Sequence, residues 1–76
     1  MYKIYGAVGC SQCKSVVAGL EKKGIEFQYL IFEEDFTEED LKKVTNQRSF
    51  PQITKVVDDK EVYIGGAREL VLHMMK

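Results

Sequence analysis

Seventy-six residues with a formal net charge of -1 describe a single small domain over residues 1–76, near the lower size for a self-sufficient hydrophobic core. An apolar share of 45%, with four Phe and four Tyr, suits a packed globule and argues against disorder. The chain has no basic block, no one-signed helical face, no apolar run near the ~20 residues of a membrane span and no secretory h-region. These absences argue against nucleic-acid, membrane and exported classes.

Met1 to Tyr5 is predicted as a short strand with Tyr2 and Ile4 on one face. Gly6 to Gly9 is a loop bounded by glycines that permit unusual backbone angles. From Cys10 to about Lys23, Cys13, Val16, Val17 and Leu20 recur at i, i+3, i+4 and i+7, the stripe of a helix buried on one side. Lys22 and Lys23 suit its C-terminal end, and Gly24 stops it. Ile25 to Phe32 is the strongest strand signal, apolar on both faces, which is the pattern of a central or helix-covered strand.

Glu33-Glu34-Asp35 is a solvated turn, and Thr37 N-caps a helix running to about Thr45, with Thr37-x-x-Asp40 resembling a capping box. Asn46 to Ser49 connects to Phe50 and to Pro51, the only proline. Gln52 to Val57 and Glu61 to Ile64 form a hairpin around Asp58-Asp59-Lys60. After Gly65-Gly66, the positions Ala67, Leu70, Val71 and Met74 repeat the buried stripe on a last helix. The order is βαβ, helix, hairpin, helix. That order implies an α/β fold with a four-stranded mixed sheet flanked by three helices.

Chemistry is concentrated at Cys10-Ser11-Gln12-Cys13, the only two cysteines of the chain. Their spacing at a strand-to-helix junction sets one sulfur at the helix N-terminus and the other a turn further in. Unpaired N–H groups and the positive end of the helix dipole stabilise a thiolate there, and the thiolate is the attacking species in disulfide exchange. Cys10 is therefore the expected nucleophile, and Cys13, on the apolar stripe, the resolving thiol. Two close cysteines are too few for a disulfide framework, so a cytoplasmic setting is expected, where such a pair cycles. A metal site needs about four ligands; beyond the cysteines the one His, His73, falls far along the last helix, on its solvated flank, so no metal is expected.

A C-x-x-C opening the first helix, Phe50-Pro51-Gln52-Ile53 at the start of the third strand and Tyr63-Ile64-Gly65-Gly66 closing the fourth resemble, in order and spacing, the glutaredoxins, a branch of the thioredoxin fold. The resemblance covers essentially the whole chain. It implies a cis peptide at Phe50-Pro51 facing Cys10, and glutathione held by the backbone at Phe50 and by the helix start at Gly65, Gly66, Ala67 and Arg68. It also implies a carrier with no bound cofactor, glutathione being a co-substrate. The partners it implies are disulfide-containing proteins, and the chain is expected to act as a monomer.

The match is not uniform. The family usually has Pro-Tyr between the cysteines where this chain has Ser11-Gln12, a basic residue where it has Ala7, and an acid or hydroxyl where it has Ala67-Arg68. Both charge partners of glutathione are thereby lost, and weaker glutathione affinity is expected. Gln12 and Arg68 instead resemble the NrdH-redoxins, glutaredoxin-like donors to ribonucleotide reductase recharged by thioredoxin reductase, whereas Phe-Pro-Gln follows the glutaredoxins. The reading is a dithiol thiol–disulfide oxidoreductase whose reductant, glutathione or a thioredoxin-reductase-like flavoenzyme, stays open. A non-catalytic thioredoxin-like binding module is the rival from another class. Gln12 is weighed equally as a contact to a partner backbone and as a solvated side chain. Tyr5, Phe36 and Phe50 are weighed as site lining against plain core.

Overall fold

A computed structural model describes residues 1–75. The elements are β1 (Tyr2–Gly6), α1 (Ser11–Lys22), β2 (Phe27–Ile31), α2 (Glu38–Lys42), β3 (Gln52–Val57), β4 (Lys60–Gly65) and α3 (Ala67–Met74). The four strands form one mixed sheet in the order β2-β1-β3-β4. β1 runs parallel to β2 and antiparallel to β3, and β3 pairs antiparallel with β4. This is the architecture expected from the element order, with three helices about a four-stranded mixed sheet.

Alternation along the strands divides the sheet into two unlike faces. One face carries Tyr2, Ile4 and Ile53, which meet Leu20 of α1 and Leu70 of α3 in the main core. The other carries Tyr5, which packs with Phe36 and Leu41 in a smaller cluster joined by Leu30, Phe32 and Phe50. Tyr5 and Phe36 meet edge to face at 5.0 Å between ring centres. They are core residues, and half-buried Phe50 leans on them.

Three expectations are corrected and one is narrowed. β2 is an edge strand, so of the central and helix-covered alternatives the covered one holds, Phe27 and Tyr29 packing against the core cluster that holds Leu20 of α1. Its two-sided apolar pattern arises because Phe27 and Tyr29 reach the main core while Leu30 reaches the smaller one. β1 continues through Gly6, where no loop begins. A Cβ there would lie 2.9 Å from Cys13 Sγ and 2.7 Å from the Tyr29 ring, so close approach, not an unusual backbone angle, requires glycine.

The hairpin turn is only Asp58-Asp59, both left-handed at φ 51° and 64°, with Lys60 already in β4. Two consecutive residues with positive φ make the type I′ turn whose twist suits a two-residue hairpin. Finally, α2 ends at Lys42, well before Thr45. Thr45 is instead buried, its hydroxyl accepting the Gln47 N–H at 3.1 Å.

The start of α2 is as expected. The Thr37 hydroxyl accepts the Asp40 N–H at 3.3 Å and the Asp40 carboxylate accepts the Thr37 N–H at 3.0 Å. These two bonds form the reciprocal capping box. They hold the Asp40 carboxyl below its usual range, the backbone bond from Thr37 contributing most.

Candidate functional site

Cys10 stands immediately ahead of α1 as its N-cap, in extended conformation, and the helix proper begins at Ser11. Its side chain takes the place usually held by a Ser or Asp oxygen: Sγ accepts the Cys13 N–H at 3.2 Å. Gly9, with φ +82°, turns the chain into this position. Cys13 is one turn further on and fully buried, at 0% exposure, under Gly6 of β1. The two sulfurs are joined as a disulfide, with the Cα atoms 5.3 Å apart. Cys10 remains half-exposed while Ser11 and Gln12 between them face solvent.

That asymmetry is the chemistry of a two-step exchanger. One sulfur is reachable from outside and aligned with a helix end; the other is reachable through the first. No acid stands in the first turn of α1 to oppose an anion there, so the dipole acts on Cys10 unopposed. Lys14, next along the helix, is exposed.

The Phe50–Pro51 peptide is cis, as the resemblance implied. Gln52, directly after it, is 3% exposed and is the polar residue that sequence reading passed over. Its amide donates to the Ser49 carbonyl at 2.9 Å and to the Ser49 hydroxyl at 3.1 Å, and its carbonyl accepts the Tyr63 hydroxyl at 2.5 Å. The residues flanking the proline are thus tied to each other and to β4.

A second group missed in the sequence lies on the same face. The Glu61 carboxylate accepts from the hydroxyls of Tyr5 at 2.5 Å and Thr54 at 2.9 Å, and it pairs with Lys3 at 3.5 Å. Burial first, then the neighbouring Glu61 carboxylate, push the Tyr5 hydroxyl well above its ordinary range. Strand alternation could have found this group, because Lys3, Tyr5, Thr54 and Glu61 all fall on one face once the register is known.

At the head of α3 the expectation needs adjustment. The resemblance implies that the helix start at Gly65 and Gly66 holds one end of glutathione, which calls for backbone N–H groups free to bind its carboxylate. The Gly66 N–H is already taken by this chain's own Glu69, whose carboxylate accepts it at 2.7 Å. Glu69 also lies against Gly65, where a Cβ would come 2.6 Å from its side chain. The Gly66 N–H at the head of α3 is thus satisfied within the chain, by the capping-box bond of Glu69. Gly66 and the Pro51 carbonyl do lie side by side, since a Cβ on the glycine would be 3.4 Å from that oxygen. The head of α3 and the proline segment therefore form one continuous surface. His73 is exposed on α3 with its ring against the edge of Tyr2, at 6.3 Å between ring centres.

The glutaredoxin family model matches residues 3–62, which hold both cysteines, Pro51 and the sheet except Tyr2 and the second half of β4. This chain belongs to the glutaredoxin family. Its fold is similar to that of glutaredoxin 1 from Francisella tularensis, solved as a cacodylate complex. The TM-score is 0.72 at 24% identity, over 97% of this chain and 91% of that one. No curated protein matches this glutaredoxin's sequence significantly. Family membership together with the bridged Cys10–Cys13 pair supports thiol–disulfide oxidoreductase activity. Among the described residues no helix is long and apolar enough to cross a membrane.

Proposed function

We propose that this glutaredoxin reduces protein disulfides or glutathione mixed disulfides by cycling Cys10 and Cys13 in a reducing, cytoplasmic setting. The observation that carries this is the placement of Cys10 as the cap of α1, with Cys13 buried one turn beneath it. The Cys10 thiolate attacks one sulfur of the target disulfide. The target S–S bond breaks, its electron pair leaves on the second sulfur, and that thiolate takes up a proton. Cys13, giving up its proton, then attacks Cys10 Sγ in the mixed disulfide. The Cys10–Cys13 bond forms and the partner's other thiol departs. Two electrons have passed to the partner, and two glutathione thiols or a reduced flavoenzyme restore them.

Glutathione as co-substrate would lie along the Phe50–Pro51 backbone. Its γ-glutamyl carboxylate would reach the Ala67 and Arg68 N–H groups beside Gly65 and Gly66. A second reading, recharging by a thioredoxin-reductase-like enzyme in the service of ribonucleotide reductase, is favoured by Gln12, Arg68 and Ala7, and by the prior use of the Gly66 N–H by Glu69. Presenting the oxidised protein separately with glutathione and with thioredoxin reductase plus NADPH decides between them. Reduction by glutathione supports the first reading, and reduction by the flavoenzyme alone supports the second. If neither reduces it, and the chemically reduced protein leaves insulin disulfides intact, the oxidoreductase reading fails and a binding module remains.

A further inference from the structure

The buried stripes expected on α1 and α3 are not fully buried: Val16 and Val17 are half-buried and Val71 is 57% exposed. Met75, just past the α3 stripe, is 77% exposed. Val16, Leu20, Leu70, Val71, Met74 and Met75 line a groove of about 370 Å³ between the two helices. The groove starts at Gln12, between the two cysteines, and at Ala67, beside Gly66; it ends at Lys23 and Met75. From Gln12 to Lys23 the helical rise gives roughly 16 Å, the length of about five extended residues.

Charge around this groove is one-sided although the whole chain carries -1. Among the described residues Lys23 is the sole charged one lining it. At 100° per residue, Lys22 flanks the Ser15 side of α1, and Arg68 flanks the Val71 side of α3. Glu21 and Glu69 point away, Glu69 being folded back onto Gly66. Among the described residues, the ion pairs of this protein involve Lys3, Lys42, Lys43 and Arg48, so Lys22, Lys23 and Arg68 stand without an acidic partner.

We propose that the α1–α3 groove is a recognition subsite for the disulfide-bearing substrate protein. It takes an apolar segment carrying carboxylates, adjacent in the substrate to the cysteine that joins Cys10. This rests on the oxidoreductase reading, because the groove is defined by its continuity with the redox motif. A partner linked to Cys10 passes over Gln12 and Ala67, where the apolar floor begins. Two methionines suit this use, since flexible thioethers repack around different apolar side chains. The cationic rim orients the segment and hastens its encounter.

The test uses short peptides whose single cysteine carries a 5-thio-2-nitrobenzoate leaving group. They bear Leu and Glu, Leu and Lys, or Ser and Glu in the flanking five residues, on either side. The reduced protein is expected to react with the Leu-Glu peptide about tenfold faster than with the Ser-Glu one, the effect of partly burying one leucine. Val71→Glu should bring that ratio close to one, and Lys23→Glu should reverse the preference for Glu over Lys. Equal rates for all peptides with the unmodified protein, or a Leu preference that survives Val71→Glu, would overturn the subsite. Where the peptide rates overturn the subsite, reaction of the unmodified protein with free 5,5′-dithiobis(2-nitrobenzoate), absent in Cys10→Ser, shows that the redox reading still stands; absence of that reaction in both proteins overturns the two together.

Discussion

At the scale of single residues the redox pair is made unequal by position alone. Cys10 takes the N-cap place and Cys13 is sealed beneath Gly6. In the reduced protein, iodoacetamide near neutral pH should therefore modify Cys10 at least about tenfold faster than Cys13, following thiolate character and access. Equal labelling, read by mass spectrometry of the two peptides, would reverse or erase the assigned roles. Gly6 itself has no room to grow. Gly6→Ala should destabilise by about 1–3 kcal/mol through overpacking against Cys13 and Tyr29, measured by urea unfolding. The proposed use of glutathione makes a separate point. Each missing exposed ion pair to glutathione is worth roughly 0.2–1 kcal/mol, so the two at Ala7 and Arg68 together cost at most about 2 kcal/mol, close to thirtyfold in affinity. Combining Ala7→Lys with Arg68→Asp should then raise glutathione-dependent turnover of a mixed disulfide. Unchanged turnover would favour a carrier that does not use glutathione.

Among the elements, α2 shows how much a five-residue helix depends on its ends. It is too short to persist on propensity, and the Thr37–Asp40 box with buried Leu41 holds it in place. Thr37→Ala should cost about 1 kcal/mol, seen as a lower denaturation midpoint. The folded Asp40 carboxyl is held below its unfolded range, so its contribution is present above about pH 4 and is lost as pH falls through the depressed folded value. The stability gap between the native protein and Asp40→Asn should accordingly be widest near neutrality and close in acid. Elements were also what the sequence revealed best. The 3.6-residue stripes of α1 and α3, the alternation of β2 and the Thr37 cap all follow from local patterns. What escaped was set by neighbours across the sheet. That β2 lies at an edge, that Gln52 clamps Ser49, and that Glu61 gathers Lys3, Tyr5 and Thr54 depend on strand register, which no local window contains. Val71 misled for a related reason, because helical spacing shows which residues share a face but not whether anything covers it.

For the molecule as a whole, the main core is small, and Leu20 at 1% exposure is close to its centre, between α1 and the sheet. Leu20→Ala should remove about 2–5 kcal/mol, a large part of the 5–15 kcal/mol typical of a folded domain. Equilibrium urea unfolding should show the midpoint falling steeply, and a shift under about 1 kcal/mol would show that the core lies elsewhere. The placement of Cys10 has a consequence at this scale. Its sulfur is both the atom that exchanges electrons and the cap that starts α1, so folding and electron transfer draw on one free energy. Around the closed cycle of reduced and oxidised, folded and unfolded states, any extra hold of α1 on an anionic Cys10 must reappear as an equal bias in reduction potential. Each tenfold difference in folding constant between the two redox forms corresponds to about 30 mV for a two-electron couple. Unfolding the dithiol and disulfide proteins side by side would thus read the potential, relative to the unstructured chain, with no redox buffer in the cuvette.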